Sequence, residues 1–332
     1  MPRILSGVQP TGNIHLGNYV GAFRQWVEMQ HDFDAYYFVV DLHAITLPYD
    51  HEELADRTLE VAAILLACGL DPEVCTVFVQ SHVPEHTELA WLLNHLATMG
   101  ELRRMTQFKA KAAEGGEGAL PAGYFNYPVL QAADILIYQA DRVPVGEDQR
   151  QHLELTRDLA ERFNARFGQT FVVPEAYIPK VGGRVMDLQV PTAKMSKSSA
   201  SPAGRIELLD PPEVVRRKVR SAVTDSGREV LARPDKPAIS NLLELFSIAG
   251  GTSVGELERA YAGRGYGEFK ADLADALVAF LTPVREGYAE LRADPGRLTA
   301  ILERGAAKVQ AITRDNLALA KERMGFLPRA GG

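Results

Sequence analysis

The chain has 332 residues, of which 46% are apolar and 24% are charged. This composition excludes a disordered, low-complexity or collagen-like chain, and the length allows one large domain with a smaller one. The net charge of -7 argues against a protein coated in nucleic acid, although a local basic face is compatible with it. The two cysteines, Cys68 and Cys75, match no zinc or redox spacing, and we expect reduced core thiols.

Targeting and membrane segments are not apparent in the sequence. The start, MPRILSGVQP, lacks an apolar run of signal-peptide length, and VAAILLAC at 61–68 is far too short to span a bilayer. We therefore expect a cytoplasmic protein that does not contact a membrane.

Short apolar runs alternate with amphipathic helical patterns in the first half of the chain. The runs are RILSGV, AYYFVV at 35–40 and TVFVQ at 76–80, and the first helical pattern extends from Ile14 to Met29. This alternation predicts an α/β fold with a doubly wound parallel sheet and crossover helices. From about Pro211 only helical patterns follow, which predicts a smaller all-helical domain. In such sheets the ligand site lies beyond the carboxyl ends of the strands, where the strand order reverses.

The stretch SGVQPTGNIHLGNYVGAF follows the first predicted strand. Pro10, Thr11 and Gly12 predict a turn, and a helix is expected to begin near His15. Unpaired N–H groups at a helix N-terminus favour the binding of a phosphate group, and Gly17 would let a ligand approach the backbone closely. The stretch lacks the GK[ST] ending of a Walker A loop, and it also fits an ordinary joint between a strand and a helix.

The stretch YPVLQAADILIYQADRVPVGEDQRQH begins with an apolar helix that carries one polar stripe. Tyr127, Gln131, Asp134 and Tyr138 fall at positions i, i+4, i+7 and i+11, so they share one face of the helix. A stripe of this kind on an otherwise apolar helix indicates burial against a polar cavity. The alternative is a core aspartate that backbone donors satisfy.

Two further stretches place polar groups in predicted turns. Residues 146–149, GEDQ, end the stretch RVPVGEDQ, which predicts a short strand running into a turn, and their carboxylates could bind ribose hydroxyls or only cap a helix. Residues 191–202, PTAKMSKSSASP, place Lys194 and Lys197 among serines. Ammonium groups on flexible stems suit a polyphosphate, but a serine-rich surface linker would look similar.

Three motifs in this order, HLGN at 15–18, GEDQ at 146–149 and KMSKS at 194–198, resemble the signatures of class I aminoacyl-tRNA synthetases. The chain is similar to the bacterial tryptophanyl members over nearly its whole length, including GVQPTGNIHLGNY, MTQFKAK, SAVTDS and GYGEFKADLA. In HLGN, Asn18 replaces the last histidine of the family's HIGH motif. The resemblance implies a Rossmann-like catalytic domain at 1–205 and a helical anticodon-binding domain at 206–332, whose C-terminal helix can pack back on the catalytic domain.

The resemblance also implies an activity and its site. L-tryptophan would react with ATP to give tryptophanyl-adenylate and pyrophosphate, and the amino acid would then pass to tRNA(Trp). The residues implied in ATP binding are Gln9, Pro10, Thr11, His15, Gly17, Asn18, Gly146, Glu147, Asp148, Val185, Lys194, Met195, Ser196, Lys197 and Ser198. The catalytic residues among or beside them would be Gln9, Lys111, Lys194, Ser196 and Lys197, with Lys109 as a further candidate. Tryptophan would contact Leu5, His43, Tyr127, Gln131, Asp134 and Gln149.

Within that set, Asp134 would accept the indole N–H and Gln149 would hold the polar end of the amino acid. Magnesium is expected on the ATP phosphates, and we expect no protein metal site. His82 and His86, four residues apart, are interpreted as part of a helix start and not as metal ligands. The family further implies a homodimer.

Three alternatives stay open at this point. Tyrosyl-tRNA synthetases show a similar Tyr, Gln and Asp stripe, but their first strand carries a tyrosine that helps bind the phenol hydroxyl, where this chain has Leu5. Against tryptophan, Gln131 stands where many tryptophan enzymes have methionine. A catalytically silent tRNA-binding paralogue would have lost His15 or a motif lysine, and neither is lost. A small-molecule adenylyltransferase is disfavoured by the long helical second half.

The second half also carries many basic residues. They are Arg216, Arg217, Lys218 and Arg220, and then Arg304, Lys308, Arg314, Lys321 and Arg323 in the last helical pattern. Basic helices are more often solvated faces than RNA sites. The family resemblance nevertheless favours anticodon contact by this domain.

Overall fold

The computed structural model describes residues 1–146, 149–178, 185–196 and 201–328. Five parallel strands form its sheet, namely β1 (Arg3–Val8), β2 (Asp34–Val39), β3 (Thr76–Val79), β4 (Arg142–Pro144) and β5 (Glu175–Tyr177). Their spatial order is β3-β2-β1-β4-β5. The order reverses between β1 and β4, because the chain first builds outward to β3 and then continues on the other side of β1. The predicted doubly wound α/β fold is confirmed.

Helices cover both faces of the sheet and form the second half of the described chain. They are α1 (Leu16–Asn18), α2 (Arg24–Met29), α3 (Asp41–Ala44), α4 (Leu54–Ala67), α5 (Glu85–Leu93), α6 (Met99–Arg104), α7 (Thr106–Gly115), α8 (Ala122–Leu136), α9 (Arg150–Phe167), α10 (Pro212–Ser221), α11 (Pro237–Gly250), α12 (Val254–Ala260), α13 (Tyr266–Ala293) and α14 (Pro295–Arg323). The helix predicted from Ile14 to Met29 is in fact segmented: α1 begins at Leu16, and a π-helical turn, Tyr19–Phe23, precedes α2.

The side chains of alternate residues in the central strands pack into two separate hydrophobic cores. Ile4 and Tyr37 pack into the core on one face of the sheet, and Leu5 and Tyr36 pack into the core on the other. Because both faces are covered, the strands are apolar without alternation, as buried parallel strands usually are. Cys68 and Cys75 are buried free thiols, as predicted. Burial is the main cause that raises the pKa of each of them to about 12.

The last helix, α14, lies against the edge strand β3. Gly305 makes this approach possible, because a Cβ at that position would lie only 2.0 Å from the carbonyl oxygen of Val77. Further along, Gln310 donates a hydrogen bond to the carbonyl of His82 at 3.0 Å, and Asn316 donates one to the carbonyl of Ile137 at 2.8 Å. Within the described ranges, no helix combines the length and the apolar character needed to cross a membrane.

Candidate active site

A cavity of about 870 Å³ opens at the carboxyl ends of β1, β2 and β4. It lies where the strand order reverses, which is the usual ligand position in open α/β sheets. Its apolar walls include Leu5, Phe38, Val40, Ile135 and Val143. Its polar lining includes Gln9, Thr11, His43, Gln107, Tyr124, Tyr127, Gln131, Asp134 and Gln149. Apolar walls with a few convergent polar groups are typical of small-molecule sites.

Asp134 of α8 is the buried carboxylate of this cavity, with only 3% of its surface exposed. Its Oδ2 is 2.7 Å from Nε2 of His43, and its Oδ1 is 2.6 Å from Nδ1 of His86. The side-chain amide of Gln80 donates to both oxygens, at 2.8 and 2.9 Å. Burial by itself raises the pKa of Asp134, but the hydrogen bonds to His43 and His86 outweigh it and hold the pKa well below its usual value. The group is therefore an ionised acceptor.

Tyr127 and Gln131 of the polar stripe are hydrogen-bonded to His152 of α9 and to Gln149 at its N-terminus. The hydroxyl of Tyr127 lies 2.8 Å from Nε2 of His152, and Gln131 donates to Oε1 of Gln149 at 3.2 Å. Burial is the main cause that raises the pKa of Tyr127 above its ordinary value, so its hydroxyl keeps its proton. The fourth member, Tyr138, does not line the cavity but lies behind Asp134, fully buried. The stripe thus extends past the cavity into the core.

The end of β1 supplies the adjoining part of the cavity wall. Gln9, Pro10, Thr11 and Gly12 line it, and Gly12 adopts a φ of 61°, in the left-handed region that favours glycine. The chain then enters α1 at the HLGN motif. Here the side-chain oxygen of Asn18 accepts the backbone N–H of His15 at 3.1 Å. The motif is thereby closed into one tight turn beside the cavity.

The segment at 185–196 packs directly on that turn. A Cβ at Gly17 would lie 3.0 Å from the ring of His15 and 3.5 Å from Cβ of Met195, which is 1% exposed. Met195 donates its backbone N–H to the carbonyl of Val185 at 3.1 Å, and Met186 pairs with Lys194 as an antiparallel bridge. The two sequence motifs are therefore in contact, and Lys194 is exposed beside them.

Several predicted ATP residues lie outside the cavity lining. They are His15, Gly17, Asn18, Gly146, Val185, Lys194, Met195 and Ser196. Lys111 also lies outside it, on α7, where it forms an ion pair with Glu114 at 2.7 Å. Glu147, Asp148, Lys197 and Ser198 lie outside the described residues.

Much of the basic charge in the helical half is engaged in ion pairs. The prediction that Lys218 belongs to an exposed basic face is wrong. Lys218 is 8% exposed and forms a 2.6 Å ion pair with Asp210. Four more of the basic residues named from the sequence are paired, namely Arg216 with Asp275, Arg304 with Glu73, Arg314 with Glu85 and Lys321 with Glu88. Arg217 and Arg220 are exposed on α10.

Two of the groups around Asp134 were not predicted as site residues. Gln80 directly follows β3, so the rule that ligand sites follow strand ends could have found it. His86 could not be found in that way, since it lies inside α5, 48 positions from Asp134 in the chain. Its interpretation as part of a helix start was incomplete, because its ring is committed to Asp134 and Tyr138.

Comparison with known proteins agrees with this geometry. Residues 1–282 match the family model described as tRNA synthetases class I (W and Y). The tryptophan–tRNA ligase 2 of Streptomyces avermitilis is 56% identical over 331 residues, which cover 98% of each chain.

Solved structures agree as well. The crystal structure of tryptophanyl-tRNA synthetase from Mycoplasma pneumoniae superposes with a TM-score of 0.87 at 38% identity, covering 98% of both chains. That of the Campylobacter jejuni tryptophanyl-tRNA synthetase, complexed with ADP and tryptophan, gives 0.86 at 35% identity and covers 98% of this chain and 100% of the other. The chain therefore belongs to the class I tRNA synthetases, in their tryptophanyl branch.

Proposed function

We propose that this protein is a tryptophan–tRNA ligase that activates L-tryptophan with ATP and then charges tRNA(Trp). In the first step a carboxylate oxygen of tryptophan attacks the α-phosphorus of ATP, the bond to the bridging oxygen breaks, and pyrophosphate leaves. Tryptophanyl-adenylate remains. The chemistry needs alignment and charge stabilisation but no protein nucleophile. The observation that carries the proposal is the ionised carboxylate of Asp134, buried at an apolar cavity where the strand order reverses.

This cavity suits an indole ring better than a phenol. Indole has one N–H donor and no hydroxyl, so the carboxylate of Asp134 can satisfy it alone. A phenol hydroxyl could also donate to Asp134, but the apolar Leu5 in the cavity lining gives its oxygen no donor, and a buried acceptor left without a partner costs about 1–3 kcal/mol. His43, Tyr127 and Gln131 complete the wall around the ring. Gln149, hydrogen-bonded to Gln131, would hold the polar end of the amino acid.

The nucleotide would lie over the end of β1 and the HLGN turn. Gln9, Pro10 and Thr11 would contact the phosphates, together with His15, Gly17 and Asn18. Gly146, with Glu147 and Asp148, would contact the ribose, and Val185 the adenine. Lys194, Met195 and Ser196, with Lys197 and Ser198, would close over the pyrophosphate, and Lys111 is a further catalytic candidate. What supports this assignment is the contact between Gly17 and Met195, which joins the two motifs.

Charge on the leaving pyrophosphate would be stabilised by the loop lysines and by backbone N–H groups. Magnesium would arrive as part of the ATP substrate and neutralise phosphate charge. Among the residues that the structure describes, no group of three or more His, Cys, Asp or Glu side chains could hold a metal on its own. We also propose a cytoplasmic homodimer that contacts tRNA through the helical half, residues 206–332, while residues 1–205 carry the chemistry.

The proposal is tested by exchange of labelled pyrophosphate into ATP, run with each of the standard amino acids in turn. Tryptophan should support exchange, and tyrosine should support it roughly 5- to 150-fold less well, because its hydroxyl lacks a second partner near Leu5. Exchange that prefers tyrosine would establish the tyrosyl alternative. No exchange with any amino acid would indicate a silent paralogue.

A further inference from the structure

A chain of hydrogen bonds continues behind Asp134, away from the cavity. The Nδ1 atom of His86 lies 2.6 Å from Oδ1 of Asp134, and its Nε2 atom lies 2.6 Å from the hydroxyl of Tyr138. His86 and Tyr138 are both 0% exposed, and neither lines the cavity. Neither side chain can therefore touch a ligand there, and the hydrogen-bonded route from them to the cavity passes through Asp134.

The positions of the protons in this chain follow from its chemistry. An ionised carboxylate accepts hydrogen bonds and cannot donate them, so Nδ1 of His86 must carry a hydrogen. In a neutral imidazole the other nitrogen, Nε2, is then an acceptor, so the hydroxyl of Tyr138 must donate to it. Burial raises the pKa of Tyr138 well above its usual value, which keeps that hydroxyl protonated. The tautomer of the neutral imidazole is thus fixed by its two partners.

Aromatic packing holds the imidazole of His86 in place. Its ring centroid is 5.7 Å from that of Phe38, which lines the cavity, and 5.3 Å from that of Tyr138. Phe78 packs against the same imidazole at 6.4 Å. Because these neighbours enclose the ring, the imidazole has little freedom to turn away from Asp134.

The two oxygens of Asp134 have different surroundings as a result. Oδ1 is held from behind by His86, whereas Oδ2 is bonded by His43, which lines the cavity. Gln80 bridges both oxygens. A carboxylate held only by His43 and Gln80 could turn about its terminal bond, since such torsions are broad. The contact with His86 removes that freedom.

We propose that His86, oriented by Tyr138, is a positioning residue that fixes Asp134 so that one carboxylate oxygen faces the cavity and selects a ligand bearing an N–H donor. This inference rests on the proposed function, in which Asp134 accepts the indole N–H. It adds a residue that no ligand contact would reveal. It also predicts that His86 affects recognition of the N–H group specifically, and not binding of the bicyclic ring in general.

The test compares tryptophan with 3-(3-benzothienyl)-alanine, in which sulfur replaces the N–H group. The measured quantity is kcat/KM for tryptophan divided by kcat/KM for the analogue, both in pyrophosphate exchange. In His86→Gln the amide falls where Nε2 lies and the donor to Asp134 is lost. The ratio should fall by about tenfold or more, because kcat/KM falls for tryptophan and stays unchanged for the analogue. In His86→Asn the amide falls near Nδ1 and can still donate, so the ratio should stay within about threefold of the wild-type value.

If kcat/KM falls equally for both substrates in His86→Gln, the role of His86 is merely structural and the inference is overturned. If neither kcat/KM value changes, the inference is overturned as well. Should the His86 variants fail to fold, Tyr138→Phe can be compared with Tyr36→Phe. The ring of Tyr36 lies 5.5 Å from that of Tyr138, but its hydroxyl bonds to Asp34 outside the chain of hydrogen bonds. Tyr138→Phe should lower the ratio by about threefold and Tyr36→Phe should leave it unchanged. Equal ratios would overturn the inference.

Asp134→Asn separates this inference from the function on which it rests. If that variant leaves the ratio unchanged, Asp134 does not recognise the N–H group and the proposed recognition itself fails. If Asp134→Asn lowers the ratio while His86→Gln does not, only the positioning role of His86 fails.

Discussion

Asn241 of α11 connects the helical half of the protein to the segment that carries Lys194. Its side-chain oxygen accepts the backbone N–H of Met186 at 2.9 Å, and its amide donates to the carbonyl of Met186 at 3.0 Å. Met186 pairs on its other side with Lys194. Asn241 is 4% exposed. Its side chain bonds to Met186 in the way that the backbone of a neighbouring strand would. We expect Asn241→Ala to release this segment and to misplace Lys194.

The size of the effect follows from the two lost hydrogen bonds. Each buried backbone group left without a partner costs about 1–3 kcal/mol. Met186 is only partly buried, so water can reach it in the variant and the lower part of that range applies. We therefore expect the free energy of unfolding to fall by about 2–4 kcal/mol in total. The kcat for adenylate formation should fall by about tenfold or more, because in the proposed mechanism Lys194 stabilises charge that develops in the transition state. The KM for tryptophan should change little.

Asn164 of α9 provides a matched control. It makes the same pair of hydrogen bonds with Phe171, accepting its N–H at 2.9 Å and donating to its carbonyl at 2.8 Å, and it also accepts the N–H of Thr170 at 2.9 Å, in a loop that does not line the cavity. Urea unfolding and pyrophosphate exchange would be measured on both alanine variants. Asn164→Ala should lose stability but keep its kcat. The reasoning is refuted if Asn241→Ala keeps the wild-type kcat despite its lower stability, or if both variants lose kcat equally.

Two further predictions concern stability. Gly305→Ala should lower the free energy of unfolding by at least about 3 kcal/mol, because its Cβ would meet the carbonyl of Val77 at 2.0 Å. Gly255→Ala, on α12 with no atom within 4 Å of the new Cβ, should instead raise it by up to about 1 kcal/mol; equal effects in urea unfolding would contradict the packing of α14. The hydrogen bond from Arg162 is the main cause that lowers the pKa of Glu101 from 4.5 to about 2. The stabilisation by this carboxylate is thus present above pH 4.5 and is lost as the pH falls toward 2. The free energy of unfolding of Glu101→Gln should therefore be lower than that of the wild type above pH 4.5, and the difference should narrow as the pH falls toward 2. A difference that stays constant over this range would disprove the ion pair.

The sequence predicted the central strands well because burial on both faces makes them continuous apolar runs. AYYFVV and TVFVQ each differ from the observed strand by one residue or less at either end. The edge strand β5, Glu175–Tyr177, was not predicted, since three residues, of which Glu175 and Ala176 are exposed, show no periodicity. The break in the first long helix was also missed. Its π-helical turn, YVGAF, contains no proline that would have marked the break in the sequence.

The candidate site was predictable where one element carries several of its residues. The helical spacing of Tyr127, Gln131 and Asp134 was enough to place them on one face, and all three line the cavity. The contact of His86 with Asp134 was not predictable, because it joins α5 to α8 across the core and no local pattern specifies such a pairing.

The central claim is that the carboxylate of Asp134 selects the indole N–H of tryptophan. Its most direct measurement is a crystal structure of the protein with tryptophan bound. We expect the indole nitrogen to lie about 2.7–3.2 Å from a carboxylate oxygen of Asp134. An indole bound in the cavity with its nitrogen beyond about 4 Å from both oxygens would contradict the claim.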